Sequence, residues 1–83
     1  MPASTSIQDR RDQFAHCIQL FGGTTSASRR LGIDERAIRR FINGERPLSA
    51  GLLEDTAKAL RLLIAEATEA EAALTAGLDS SEG

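Results

Sequence analysis

Eighty-three residues are enough for one small domain and too few for two, and at this size a lone core is marginal without extra burial through association. The composition is 41% hydrophobic but 4% aromatic, with Leu, Ile and Ala dominant and β-branched residues never running together, so an all-α fold is expected rather than a sheet. The single cysteine, Cys17, excludes an intramolecular disulfide, and no leader or membrane-length apolar run is present, so the expectation is a soluble, cytoplasmic protein with no membrane contact.

The net charge of −2 conceals a segregation. Met1 to Arg61 carries ten basic and seven acidic residues, a balance of +3, whereas Leu62 to Gly83 carries no base and five acids. The total argues against nucleic acid; the local distribution does not. The acidic end either keeps that part of the chain away from phosphates or simply solubilises a helix.

In chain order, residues 1–5 read as a flexible start. A first helix begins with Thr5 or Ser6 as its cap, with Gln8 or Asp9 placed to close a capping box. Ile7, Phe14, Ile18 and Phe21 form its buried face, and Gly22-Gly23 ends it. A short second helix, capped by Thr24 or Thr25, turns Ala27 and Leu31 inward and ends at Gly32. Asp34 is placed to cap a third helix, which carries Ile38, Phe41 and Ile42 on one side and stops at Asn43-Gly44. Glu45-Arg46-Pro47 is a loop. Ser49 caps a long fourth element, with Leu48 and Leu53 spaced as a hydrophobic staple. It runs to about Ala76, either as one helix or as two with a bend near Arg61. The segments expected are therefore a domain of four to five helices over 6–62, a helical dimerisation segment over 63–77 and a flexible acidic tail over 78–83.

Thr24 to Asn43 is the informative stretch. Two short helices that cross steeply require small residues at the crossing and a tight turn between them. Ala27 and Ser28 are small, Gly32 follows four residues after Ser28, and Leu31, Ile33, Ile38 and Phe41 are available to pin the unit. Phe21-Gly22-Gly23-Thr24, Leu31-Gly32-Ile33 and Ala37-Ile38-Arg39-Arg40-Phe41-Ile42-Asn43-Gly44 together resemble the Cro and phage-repressor (lambda repressor-like) family of helix-turn-helix DNA-binding proteins. Gly44-Glu45-Arg46-Pro47-Leu48 and Ala57-Lys58-Ala59-Leu60 are similar to that family's loop and fourth helix. The resemblance covers roughly residues 8 to 62. Ser28 departs from the usual alanine, and Thr25 from a glutamine that often clamps DNA. The long Ala/Glu-rich C-terminal helix is not a general family feature. The small size is similar to compact repressors of phages and mobile elements, including anti-CRISPR-associated regulators.

The resemblance implies a transcriptional regulator that binds double-stranded DNA at a near-palindromic operator, most simply as a repressor, with the third helix in the major groove. At 100° per residue, Arg36, Arg39, Arg40 and Asn43 fall opposite the apolar side, with Glu35 at the edge. Arginine donates two parallel hydrogen bonds to guanine, asparagine pairs with adenine, and a glutamate accepts from cytosine. Glu35 equally suits the positive end of its helix. Arg29, Arg30 and Arg46 are better placed for phosphates than for bases, as are Thr24 and Thr25 at a helix N-terminus. The threonines could instead cap their helix, and Arg29 or Arg30 could pair with Asp34 or Glu35.

Leu53, Leu60, Ala67 and Leu74 are spaced by seven, with Thr56, Leu63 and Ala70 at the alternate positions and Ala57 and Ile64 beside them. The seam is heptad-like. Its first part must also serve the core, so the homodimer surface is assigned to Leu60, Leu63, Ile64, Ala67, Ala70 and Leu74, the alternative being a helix folded back on the domain. Two-fold symmetry would place half-sites about 34 Å apart. An enzyme is not expected: His16 and Cys17 are adjacent on a helix and point about 100° apart. Neither zinc-ligand spacing nor a phosphate-cradling glycine loop is present, so no metal, cofactor or small-molecule ligand is expected. The competing class is a protein-interaction module, such as an antitoxin or adaptor built on the same fold.

Overall fold

Four α-helices occupy residues 7–81, the part of the chain that the computed structural model describes: α1 (Ile7–Phe21), α2 (Thr24–Leu31), α3 (Glu35–Asn43) and α4 (Ala50–Ser81). The expected caps Thr5 and Ser6 lie outside the described residues, as do the side chains of Ile7 and Gln8 and the last two residues of the tail. Among the described residues there is no strand.

The core follows from the spacing on α1. Phe14, Ile18 and Phe21 recur at intervals of four and three, which stacks them on one face, and all three are buried. Ala27 of α2 and Ile38 of α3 complete the cluster, each with no exposed surface. Burying a side chain the size of Phe14 or Ile38 contributes about 1.5–3 kcal/mol, so these few residues dominate the packing. The rings of Phe14 and Phe41 meet edge to face, 6.0 Å between centroids and 72° between planes, and tie α1 to α3. Leu48, Leu52, Leu53, Leu60 and Leu63 close the core from the α4 side.

The ends of α2 and α3 and the start of α4 have local causes, and the cap of α2 differs from expectation. Neither Thr24 nor Thr25 caps α2: the cap residue is Gly23, at φ 109°, and no side chain bonds the free N–H groups. The helix runs from Thr24 to Leu31 as expected, but the backbone angle needed at its cap is closed to threonine and open to glycine. Gly32 ends α2 in the left-handed conformation, its N–H donating to Ser28 O at 2.9 Å. Asp34 caps α3 as expected, Oδ2 accepting from the Arg36 N–H at 3.2 Å. Ser49 Oγ accepts from the Leu52 N–H at 3.1 Å and heads α4.

α4 is a single helix of 32 residues, without the break considered near Arg61 and longer than expected, passing through Gly77 to Ser81. Its Ala, Leu and Glu content favours helix, and one glycine near the end costs only about 1 kcal/mol. It does not fold back. From Ile64 to Asp79 every residue is exposed, and the radius of gyration is 16.4 Å, against about 12 Å for a compact chain of this length. No described helix is long and apolar enough to cross a membrane.

Candidate functional site

The geometry of α3 is set from below. Ala27 is small enough to let α2 and α3 approach, and the Ser28 hydroxyl donates to the Ile33 carbonyl at 2.6 Å, pinning the turn between them. That bond gives Ser28 a role that its small size alone did not reveal. Ile38 faces the core, and Ala37, Phe41 and Ile42 flank it half-buried. Arg36, Arg39, Arg40 and Asn43 are therefore all turned outward and exposed on one side of a nine-residue helix.

Charges on that face are lightly held. Arg39 Nη2 lies 3.3 Å from Glu35 Oε1, in a pair whose side chains are 59% and 36% exposed. An exposed pair of this i,i+4 kind contributes about 0.3–0.5 kcal/mol, too little to fix Arg39 against a competing acceptor. Arg36 and Arg40 form no salt bridge among the described residues. Three guanidinium groups thus share one short surface with a single carboxylate.

Flanking residues divide into two groups. Thr24 is half-buried and Thr25 exposed at the start of α2, while Arg29 and Arg46 are exposed. The Arg46 guanidinium lies over the Phe41 ring, 5.3 Å from its centroid, so its position is guided by the same aromatic that anchors α3. Arg30 is committed elsewhere. It pairs with neither Asp34 nor Glu35 but with Glu66 of α4, at 2.7 Å. The Asp34 carboxylate is already engaged by its helix cap, and α2 lies beside α4 at that level.

In the sequence, Arg10 and Arg11 stand out only as charges. The structure puts them beside Gly44, Arg46, Pro47 and Leu48 around a cleft at the C-terminal end of α3. Their pairing on α1 was visible; the loop that they face was not. His16 is exposed. Cys17 is half-buried against the core, and burial pushes its thiol pKa above the ordinary value, which disfavours the nucleophilic thiolate. Among the described residues, no group of three or more His, Cys, Asp or Glu side chains is arranged to hold a metal ion.

On α4 the seam begins later than expected. Leu60 and Leu63 are half-buried against the domain's own core, and Thr56 is turned fully inward, its hydroxyl donating to Leu52 O at 2.8 Å. Leu63, expected to lie beyond the core, packs against it half-buried, and the uncovered stripe starts at Ile64. Ile64, Ala67, Ala70 and Leu74 are exposed, and Leu78, one turn further, extends the stripe. Leu62 is also exposed but lies on another side of the helix, beside Arg30 and Lys58. Compared with models of known protein families, with curated proteins and with solved structures, the chain matches none.

Proposed function

We propose that the protein is a sequence-specific double-stranded DNA-binding regulator of the Cro and phage-repressor kind. α2 and α3 form its helix-turn-helix, and a homodimer occupies a near-palindromic operator, most simply as a repressor. The observation that carries this reading is the division of α3: Ile38, Phe41 and Ile42 hold it in place while Arg36, Arg39, Arg40 and Asn43 stand exposed on one side. Inserted in a major groove, these side chains would read guanine through paired arginine donors and adenine through the asparagine amide, each good contact contributing about 1–3 kcal/mol of discrimination. Glu35 would orient Arg39, or accept from cytosine once Arg39 turns to the DNA. Arg29, Arg46, Thr24 and Thr25 would set register on the phosphates, joined by Arg30 whenever Glu66 releases it.

The stripe from Ile64 to Leu74 supplies the dimer surface in this reading, since a nine-residue reading helix gains specificity when two copies act on adjoining half-sites. Selection of bound sequences from random duplex DNA by the full chain is the test. A palindromic consensus is the expected result, and failure to enrich any sequence would overturn the reading. The same exposed stripe also favours a second reading, an antitoxin or adaptor that holds a protein partner. Replacing Arg39 and Arg40 by alanine separates the two: loss of duplex binding with an unchanged oligomeric state supports the regulator.

A further inference from the structure

A cleft of about 460 Å³ opens between α1 and the loop that joins α3 to α4, lined by Arg10, Arg11, Gly44, Arg46, Pro47 and Leu48. Half of its lining residues are arginines, and none of these forms a salt bridge among the described residues. The nearby carboxylates do not line it: Asp9 and Asp12 flank the arginine pair in sequence, and Glu45 is exposed in the loop.

Arg11 is the fixed member. Its guanidinium lies against Gly44 so closely that a Cβ at that position would fall on Nη1 and 3.0 Å from Cζ. Gly44 also has φ 83°, which disfavours any other residue there. The Nε of Arg11 is buried and has no hydrogen-bond partner among the described residues. That atom is closed to the cleft, but Arg10, Arg11 and Arg46 together bring three guanidinium groups without a salt bridge among the described residues to one concavity, a concentration of positive charge that favours an anion.

The end of α3 does not supply one. Its Arg40 carbonyl already accepts from the N–H groups of Glu45 and Arg46, and its Phe41 carbonyl from that of Gly44. The residual helix dipole is equivalent to about half a negative charge, too little for three guanidinium groups. Arg46 is steadied over Phe41 and faces the same space. Planar guanidinium forks match the tetrahedral oxygens of a phosphoryl group, to which they donate in pairs.

We infer that Arg10, Arg11 and Arg46 form a phosphoryl-binding cleft, with Arg11 pre-set against Gly44. A DNA backbone phosphate and a free phosphate ion share the chemistry that it recognises. The DNA source rests on the function proposed above: Gly44, which lines the cleft, directly follows Asn43 at the end of α3, so a strand read by α3 would carry a phosphate towards it, and α1 would join α2 and the loop in setting register.

Two titrations on the full chain test the inference. The first measures binding of a short random-sequence duplex as salt is raised, because non-specific binding reports phosphate contacts alone. Arg11→Gln and Arg46→Gln are each expected to reduce the slope of log affinity against log salt by about one. The second follows the arginine Nε–Hε signals by NMR while inorganic phosphate is added, with the Arg11 signal expected to shift. Circular dichroism checks that each variant is folded; should Arg11→Gln unfold, Arg10→Gln and Arg46→Gln carry the test, since both side chains are exposed. Duplex binding with an unchanged slope in the variants would overturn the cleft and leave the DNA reading standing. No duplex binding, together with a phosphate shift at Arg11 that Arg46→Gln weakens, would sink the DNA reading and support the cleft as a free-phosphate site. No response to either probe overturns the cleft.

Discussion

Up to Leu63, α4 lies on the body of the domain; from Ile64 it leaves it, and the two halves of this one helix are held by different forces. In the first half, Leu52, Leu53, Leu60 and Leu63 pack on the core and Thr56 is 3% exposed. In the second, alanines alternate with Glu66, Glu69 and Glu71 and all side chains from Ile64 to Asp79 are exposed. Burial stabilises the former, intrinsic propensity the latter. An isolated helix of that length is marginal in water, but this one extends a helix that the body has already nucleated. A helix can thus be continuous and regular while only half of it belongs to the fold.

The comparison breaks most visibly at the core. Ile38→Ala leaves a cavity under α3 where there is no exposed surface at all, and a loss of about 2–5 kcal/mol in urea unfolding is expected. Leu74→Ala in the projecting half should change stability by less than about 0.5 kcal/mol at concentrations where the chain is monomeric. An equally large loss from Leu74→Ala would mean that the projecting half of α4 is covered.

Next in size is the effect on association. If a second copy covers the stripe, symmetry places Leu74 in the interface twice, and each buried leucine contributes about 1.5–3 kcal/mol. Leu74→Asp should then raise the dimer dissociation constant by about a hundredfold or more, read by analytical ultracentrifugation. A wild-type chain that sediments as a monomer at every concentration would require a different cover for Ile64 and Leu74.

The same contrast shows what the sequence could reveal. Ile18, Ile38 and the two phenylalanines of the core could be read from spacing, because helical periodicity and burial agree there. So could the outward set Arg36, Arg39, Arg40 and Asn43, which is the complement of that apolar face. Leu63 was misplaced because periodicity gives a direction around a helix and not the distance at which a neighbouring helix ends. Arg30 with Glu66, and Arg11 with Gly44, are contacts between distant segments, and local pattern carries no information about them. Gly23 displaced the threonines as the α2 cap because the turn leaving α1 fixed its backbone angle, a constraint invisible in cap preferences.

The caps make a smaller contrast. α3 depends on the Asp34 carboxylate, whereas α2 starts at a glycine with no side-chain bond. Asp34→Ala should cost about 1 kcal/mol, measured by thermal or urea unfolding, and Thr24→Ala only a few tenths. A larger loss at Thr24 would mean that its hydroxyl serves α2 in solution.

The smallest effect concerns the salt bridge that ties the two halves of the comparison together. Arg30 and Glu66 meet at 2.7 Å with side chains 28% and 51% exposed, joining α2 to the first turn of the projecting helix. Glu66→Ala should change stability by less than about 1 kcal/mol, and the change should shrink with added salt. Its effect on binding is more telling. Removing Glu66 frees Arg30, so on the proposed function affinity for random-sequence duplex should rise and its salt slope should steepen by up to about one. Glu69→Ala removes the same charge from the same helix without releasing an arginine, since Glu69 forms no salt bridge among the described residues. Long-range electrostatics would make the two variants alike. A steeper slope for Glu66→Ala alone would mean that the projecting helix holds back a phosphate contact of the body.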